Sequence, residues 1–193
     1  MKKVLCCIPT LGAIRIELAQ RLYEWKKRYG DFFDVYPSLI RPLFEARNDC
    51  VRTFLKSGAS YLLFVDSDAV PPLNVIEMLL SHGYAKKIVS GLCHEFKIDS
   101  DSVLKKVPMA LRAAREEGEY NIINESELEG LVDVDAVGTI CVIIHRSVLV
   151  DIKPPWFQGV AEDFYFYGRA KSEGFSVFVD CDCKVTHYKV VGI

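Results

Sequence analysis

Five consecutive apolar residues, Tyr61-Leu62-Leu63-Phe64-Val65, run directly into Asp66-Ser67-Asp68, and this boundary constrains the fold more than any other feature of the chain. A strand without polar alternation has both faces covered, which is the habit of a central strand in a parallel sheet packed between helices. In open α/β sheets the ligand sits beyond the carboxyl ends of such strands. The two aspartates stand at that end.

The rest of the chain is consistent with this architecture. Residues 3–8 read as a first strand, ended by Pro9-Thr10-Leu11-Gly12. Leu18, Leu22 and Trp25 recur at helical spacing over residues 14–28, and Gly30 is a stop. Strands are expected at 33–36 and 87–90, and helices at 45–56 and 73–81, the latter opened by Pro71-Pro72. Strand–helix alternation of this kind predicts an α/β sandwich on a mostly parallel sheet, here as a single domain over 1–193. Residues 95–130 break the pattern with a charged stretch. They read as an insertion over one edge of the sheet, with one helix at 108–117. Beyond it, 132–136 alternates as a strand with one wet face, 140–144 is an apolar strand, 161–173 is a helix stopped by Gly174, and 175–179 is a last core strand.

Composition removes several function classes. Lysine plus arginine is 24 and aspartate plus glutamate is 26, a formal net charge of −2, so there is no electrostatic footprint for generic nucleic-acid binding. The seven cysteines are odd in number and lack a C-x-x-C spacing, so they read as core thiols of a reducing compartment, with the cytoplasm as the default. The apolar run after Met1-Lys2-Lys3 stops at Pro9, too short for a secretory signal, and no segment approaches the length of a transmembrane helix.

Adjacent carboxylates repel unless a cation lies between them. A hard divalent ion accepts oxygen ligands and can bridge protein carboxylates to a diphosphate. The bare D-x-D pattern is weak, because 13 aspartates in 193 positions give about one such pair by chance. Four occur: Asp66/Asp68, Asp99/Asp101, Asp133/Asp135 and Asp180/Asp182. The first alone follows an apolar strand and precedes a proline-capped helix.

Its context carries a resemblance. Ala46-Arg47-Asn48 precedes the strand ending in Asp66-Ser67-Asp68, and Val137-Gly138-Thr139, Glu162-Asp163-Phe164 and Val185-Thr186-His187 follow in that order. This series resembles the GT-A glycosyltransferases, especially inverting, family-2-like members, from Val4 to His187 with a gap over 95–130. The resemblance implies a GT-A, Rossmann-like three-layer α/β/α sandwich that moves a sugar from a nucleotide-sugar donor to a hydroxyl acceptor. Asp68 and His187 would ligate Mn2+ or Mg2+, with Asp66 on the ion's water shell or the donor ribose. Asp163 would be the general base. Pro9 and Thr10 would lie against the donor's base and ribose, Arg47 would steady the diphosphate, and Gly138 and Thr139 would let the backbone approach the sugar. Glu162 and Trp156 would face the sugar or acceptor.

A UDP-sugar is the favoured donor, with a GDP-sugar open. The acceptor is a saccharide, a lipid-linked hydroxyl or a protein. Residues 95–130 are expected to close over the donor. At this length a partner subunit, including a second copy of the chain, would help complete the acceptor site. Each residue also has a plainer reading: a turn at Pro9, a solvated helix charge at Arg47, a bulge at Gly138, core packing at Trp156, first-turn helix acids at Glu162 and Asp163. Rival functions are a nucleotidyltransferase, a non-catalytic nucleotide-sugar-binding protein and a metal-dependent phosphohydrolase.

Overall fold

The computed structural model describes residues 3–82, 85–98, 104–114 and 119–188. In chain order the elements are β1 (Val4–Pro9), α1 (Ile16–Tyr29), β2 (Phe33–Ser38), α2 (Leu43–Lys56), β3 (Tyr61–Val65), β4 (Ala69–Val70), α3 (Val75–Ser81) and β5 (Ile88–Leu92). Then come β6 (His94–Ile98), β7 (Leu104–Pro108), β8 (Ala110–Ala113), β9 (Tyr120–Ile122), β10 (Leu131–Val134), β11 (Ala136–Val137), β12 (Cys141–His145), α4 (Arg146–Asp151), α5 (Glu162–Ser172), β13 (Val177–Lys184) and β14 (Thr186–His187).

The central sheet has seven strands in the order β10-β13-β5-β12-β3-β1-β2. Its strands β1, β3, β5 and β12 are buried on both faces because helices cover both. Leu5, Cys7, Leu62 and Phe64 point into one core with Val51 and Phe54 of α2, Leu149 of α4 and Phe166 of α5. Their neighbours Val4, Cys6, Ile8, Leu63 and Val65 point into the other, with Leu18 and Trp25 of α1 and Val75 and Leu79 of α3. Alternation of side chains along a strand thus separates two helix layers, which is the three-layer sandwich. All seven cysteines are buried and unpaired. Burial raises those whose thiol is shifted, such as Cys6 and Cys141, so they remain protonated core residues.

The sheet is mixed, not mostly parallel. β1 pairs in parallel with β2 and β3, and β13 with β5, whereas β12 is antiparallel to both β3 and β5, and β10 is antiparallel to β13. The apolar run at 140–144 revealed burial but not direction, since both orientations of a buried strand demand the same side chains.

Two further expectations are corrected. No helix forms over 108–114, and 115–117 lie outside the described residues. Despite good helix formers, Ala110–Ala113 is a strand flanked by β11 and β9, and pairing on both edges outweighs local propensity. The alternating run at 132–136 is two strands, not one. It breaks at Asp135, whose carboxylate accepts from the Ala113 amide at 2.7 Å and pairs with Lys171. β10 therefore joins the main sheet while β11 joins the small one. The 95–130 region is thus built chiefly of two hairpins, β6–β7 and β8–β9.

Candidate functional site

The parallel pair β1 and β3 delivers Pro9-Thr10 and Asp66 to the same end of the sheet. Asp66 stays in the sheet's grip: its amide donates to Ile140 O at 2.9 Å, and its carbonyl accepts from Ala69 N at 3.0 Å, closing a tight turn over Ser67-Asp68. β4 follows at once and pairs antiparallel with β14, with His187 opposite Ala69. That short ladder, with Tyr188 N donating to Asp68 O at 2.9 Å, carries the C-terminal histidine to the aspartate turn. His187 Nε2 lies 3.3 Å from Asp68 Oδ1.

These residues bound a cleft of about 350 Å3 lined by Pro9, Thr10, Leu11, Ile40, Leu43, Ala46, Asp66, Ser67, Asp68 and His187. The candidate metal ligands and the Pro9-Thr10 loop are therefore brought together. Thr10 also serves the turn itself, its hydroxyl donating to Ala13 O at 2.6 Å. Leu11, Ile40, Leu43 and Ser67 were not singled out by sequence. The three apolar ones are exposed at 77%, 44% and 48%, and exposed leucine and isoleucine on loops give no signal until a cleft gathers them.

Beneath the cleft floor is a buried ion cluster centred on Arg47, which is 2% exposed. Its Nη2 donates to Asp66 Oδ1 at 3.2 Å, its Nε to Glu162 Oε1 at 3.3 Å, and its Nη1 to Thr139 O at 3.1 Å. Asp163 Oδ1 is 4.0 Å from Nε. Burial alone would lower the guanidinium's pKa, but the three carboxylates more than offset this and raise it. One cation facing three acids leaves negative charge in excess. Asp66 registers it: burial, then Asp163 and Asp68, push its carboxyl up to about 6 against the pull of Arg47 and His187. Glu162 is raised by burial and by Asp163.

Asp163 opens α5. Its Oδ2 accepts from Thr139 N at 3.2 Å, while Oδ1 is buried without a hydrogen-bond partner. Asn48 holds the approach to that helix, donating to Phe157 O and accepting from the amides of Trp156 and Phe157.

Several expectations fail geometrically. Arg47 is neither a solvated charge nor aimed at open space: it is a buried hub, so it positions Asp66 and Glu162 instead of reaching a diphosphate. Glu162 is spent on Arg47 and is 7% exposed. Gly138 and Thr139 are buried, with a Cβ at 138 meeting the side chains of Ile140 and Met109, so they present no backbone to the cleft. Trp156 is 6% exposed in the core, and its indole N–H donates to Leu149 O at 2.9 Å. It offers no face to a sugar.

The other D-x-D pairs are also placed. Asp180 is buried and accepts from the amides of Asp182 and Cys183 and pairs with His82, which is bulge chemistry. Asp99/Asp101 lies outside the described residues.

The fit of a divalent ion can be tested on the donor atoms. In an octahedral site with bonds of about 2.1 Å, neighbouring ligands lie about 3.0 Å apart. The 3.3 Å between Asp68 Oδ1 and His187 Nε2 is close to that edge. Among the described residues no three side chains converge as a complete metal cage. Two ligands on a surface with excess negative charge fit a divalent ion whose remaining positions are filled by water or a ligand. His187 Nδ1 is buried with no hydrogen-bond partner, so no second group fixes the ring.

No family model and no curated protein matches the sequence. Solved structures do. The chain superimposes on the viral protein A197 from STIV with a TM-score of 0.64 at 20% identity, covering 97% of this chain and 86% of that one. It also superimposes on GalNAc-T7, solved with UDP, GalNAc and Mn2+, with a TM-score of 0.59 at 14% identity. All of this chain is covered there, but it spans only 45% of the length of GalNAc-T7. No helix among the described residues is long and apolar enough to cross a membrane. At these identities the likeness is one of fold, and the fold it shows is the GT-A-like α/β scaffold.

Proposed function

We propose that this chain is a metal-dependent glycosyltransferase that takes a nucleotide-sugar donor, with UDP-sugar favoured. The observation that carries the reading is the meeting of Asp68 and His187, distant in sequence, at the rim of a cleft that also holds Asp66 and the Pro9-Thr10 loop. Support comes from the shared scaffold of GalNAc-T7, whose structure contains UDP, GalNAc and Mn2+.

In this reading the nucleoside lies along Pro9, Thr10, Ile40 and Leu43. Asp68 and His187 would hold Mn2+ or Mg2+, and Asp66 would face the ion's water or the ribose. The bound ion supplies a Lewis acid that offsets charge on the departing diphosphate. The acceptor hydroxyl oxygen attacks the sugar C1, and the C1–O bond to the diphosphate breaks with its electron pair on phosphate oxygen. The hydroxyl proton passes to the Asp163 carboxylate, whose side chain keeps 25% of its surface exposed while Thr139 N and Arg47 hold it in place. Attack on the face of C1 opposite the departing diphosphate gives inversion.

Calorimetry with UDP, with and without Mn2+, is the direct test. Asp68→Ala and His187→Ala are expected to abolish the metal-dependent part of UDP binding, a loss of tenfold or more. Asp163→Asn is expected to keep UDP binding and lose transfer by about a hundredfold or more, the usual size of a general-base effect. UDP binding that ignores both metal and variants, or full turnover in Asp163→Asn, would remove the reading.

A further inference from the structure

The β6–β7 hairpin is a partition with a different cavity on each face. Side chains alternate across a strand, so Phe96 and Lys106, a cross-strand pair, share one face. Glu95 and Lys97 share the other. The first face looks toward His187 and Lys184. The second closes a separate cavity of about 510 Å3 against β8, β9 and the start of α5. That second cavity shares no lining residue with the donor cleft. It does contain Ala161 and Phe164, which flank Glu162 and Asp163 in the chain.

Its chemistry is specific. Phe164 stacks on Tyr120 with ring centroids 4.6 Å apart at 27°, yet remains 36% exposed. Ile122, 38% exposed, continues the apolar wall. Opposite stands the Glu95 carboxylate, its side chain 11% exposed and held 3.0 Å from Lys97 Nζ. A hydrocarbon tail would leave that ion pair facing an apolar ligand, at a desolvation cost. A pyranose suits both walls: its C–H face packs on an exposed aromatic edge, and its hydroxyls donate to a carboxylate. The volume falls within the usual range for small-ligand pockets.

We propose that this cavity binds a neutral saccharide, and, resting on the glycosyltransferase reading above, that this saccharide is the acceptor whose hydroxyl reaches Asp163. Phe164 and Tyr120 are then the sugar platform in place of the buried Trp156, and Glu95 orients the ring.

The test uses the 15N-labelled full chain without donor, titrated with maltose, lactose, cellobiose and N,N′-diacetylchitobiose. At least one is expected to shift the amides of Tyr120, Ile122, Phe164 and the β6–β7 hairpin, leaving those of Asp66–Asp68 in place. Phe164→Ala and Glu95→Gln are each expected to weaken that disaccharide tenfold or more. Phe164→Tyr, which keeps the platform, should bind within about threefold of the parent, and melting curves identify any variant that has lost its fold. A parallel titration with UDP and Mn2+ reads the donor cleft separately, so its failure would sink the function and leave the saccharide site standing. The saccharide proposal is overturned if no disaccharide shifts the cavity, if shifts map to Asp66–Asp68, or if Glu95→Gln binds like the parent. It is also overturned if the cavity responds only to an alkyl maltoside's chain, or only to a threonine-containing peptide.

Discussion

Asp66 shows how a buried carboxylate is kept at a cost in stability. Its carboxyl titrates near 6 in the folded chain against an ordinary 3.8. The folded state therefore holds this proton more tightly than the unfolded state does. The associated stability is fully present below pH 3.8 and is lost as pH rises through about 6. For a side chain that keeps one-fifth of its surface exposed, the loss amounts to about 2–3 kcal/mol. Asp66→Asn keeps the oxygen that Arg47 uses and removes the titration. In metal-free urea denaturation the variant is expected to match the parent near pH 3 and to exceed it by that amount at pH 7. Equal pH dependence in the two proteins would show that the excess charge is dissipated elsewhere. Arg47 belongs to the same account. Sequence marked it as functional, yet its guanidinium works from underneath, and nothing in a helix spelled Ala46-Arg47-Asn48 reveals whether the side chain turns out or in.

Helix α2 must be held firmly, because it carries both Arg47 and Asn48. Its C-terminal carbonyls find a cap far along the chain. Arg146, at the start of α4, donates from Nε to Ala59 O at 2.8 Å, from Nη1 to Leu55 O at 3.0 Å and from Nη2 to Phe54 O at 2.9 Å. A cation at a helix C-terminus also meets the negative end of its dipole. Arg146→Met is expected to cost about 3 kcal/mol by chemical denaturation, since charge-assisted hydrogen bonds are lost and water replaces them only in part. A loss under 1 kcal/mol would mean that the carbonyls are well served by solvent. The pair β4 and β14 is the other decisive element: two residues on each side suffice to set His187 opposite Ala69.

For the whole molecule, the cleft at Asp68 and His187 is an incomplete cage. Two side chains meet within 3.3 Å, Asp66 is occupied by Arg47, and no third protein ligand converges among the described residues. The ion and the diphosphate should then complete each other's coordination. Calorimetry is expected to give weak Mn2+ binding alone and at least tenfold tighter binding with UDP present. UDP affinity should gain the same factor from Mn2+, about 1.4 kcal/mol of coupling per tenfold. Additive binding without coupling would separate the two sites.

Sequence by itself determined the layers and placed the Asp66–Asp68 turn at a strand's carboxyl end. Continuous apolar runs announce burial on both faces, and Asp66-Ser67-Asp68 after such a run announces a strand's carboxyl end, because both are properties of a segment and its immediate neighbours. The pairing of His187 with Asp68 was reachable only through resemblance. Tertiary structure decided the rest. It chose the antiparallel direction of β12, drew Ala110–Ala113 into a sheet against its helical propensity, buried Arg47 and Trp156, and set Phe164 against Tyr120. Each of these depends on which surface a residue meets after the chain has folded back, and a side chain's composition and spacing are the same before and after that choice.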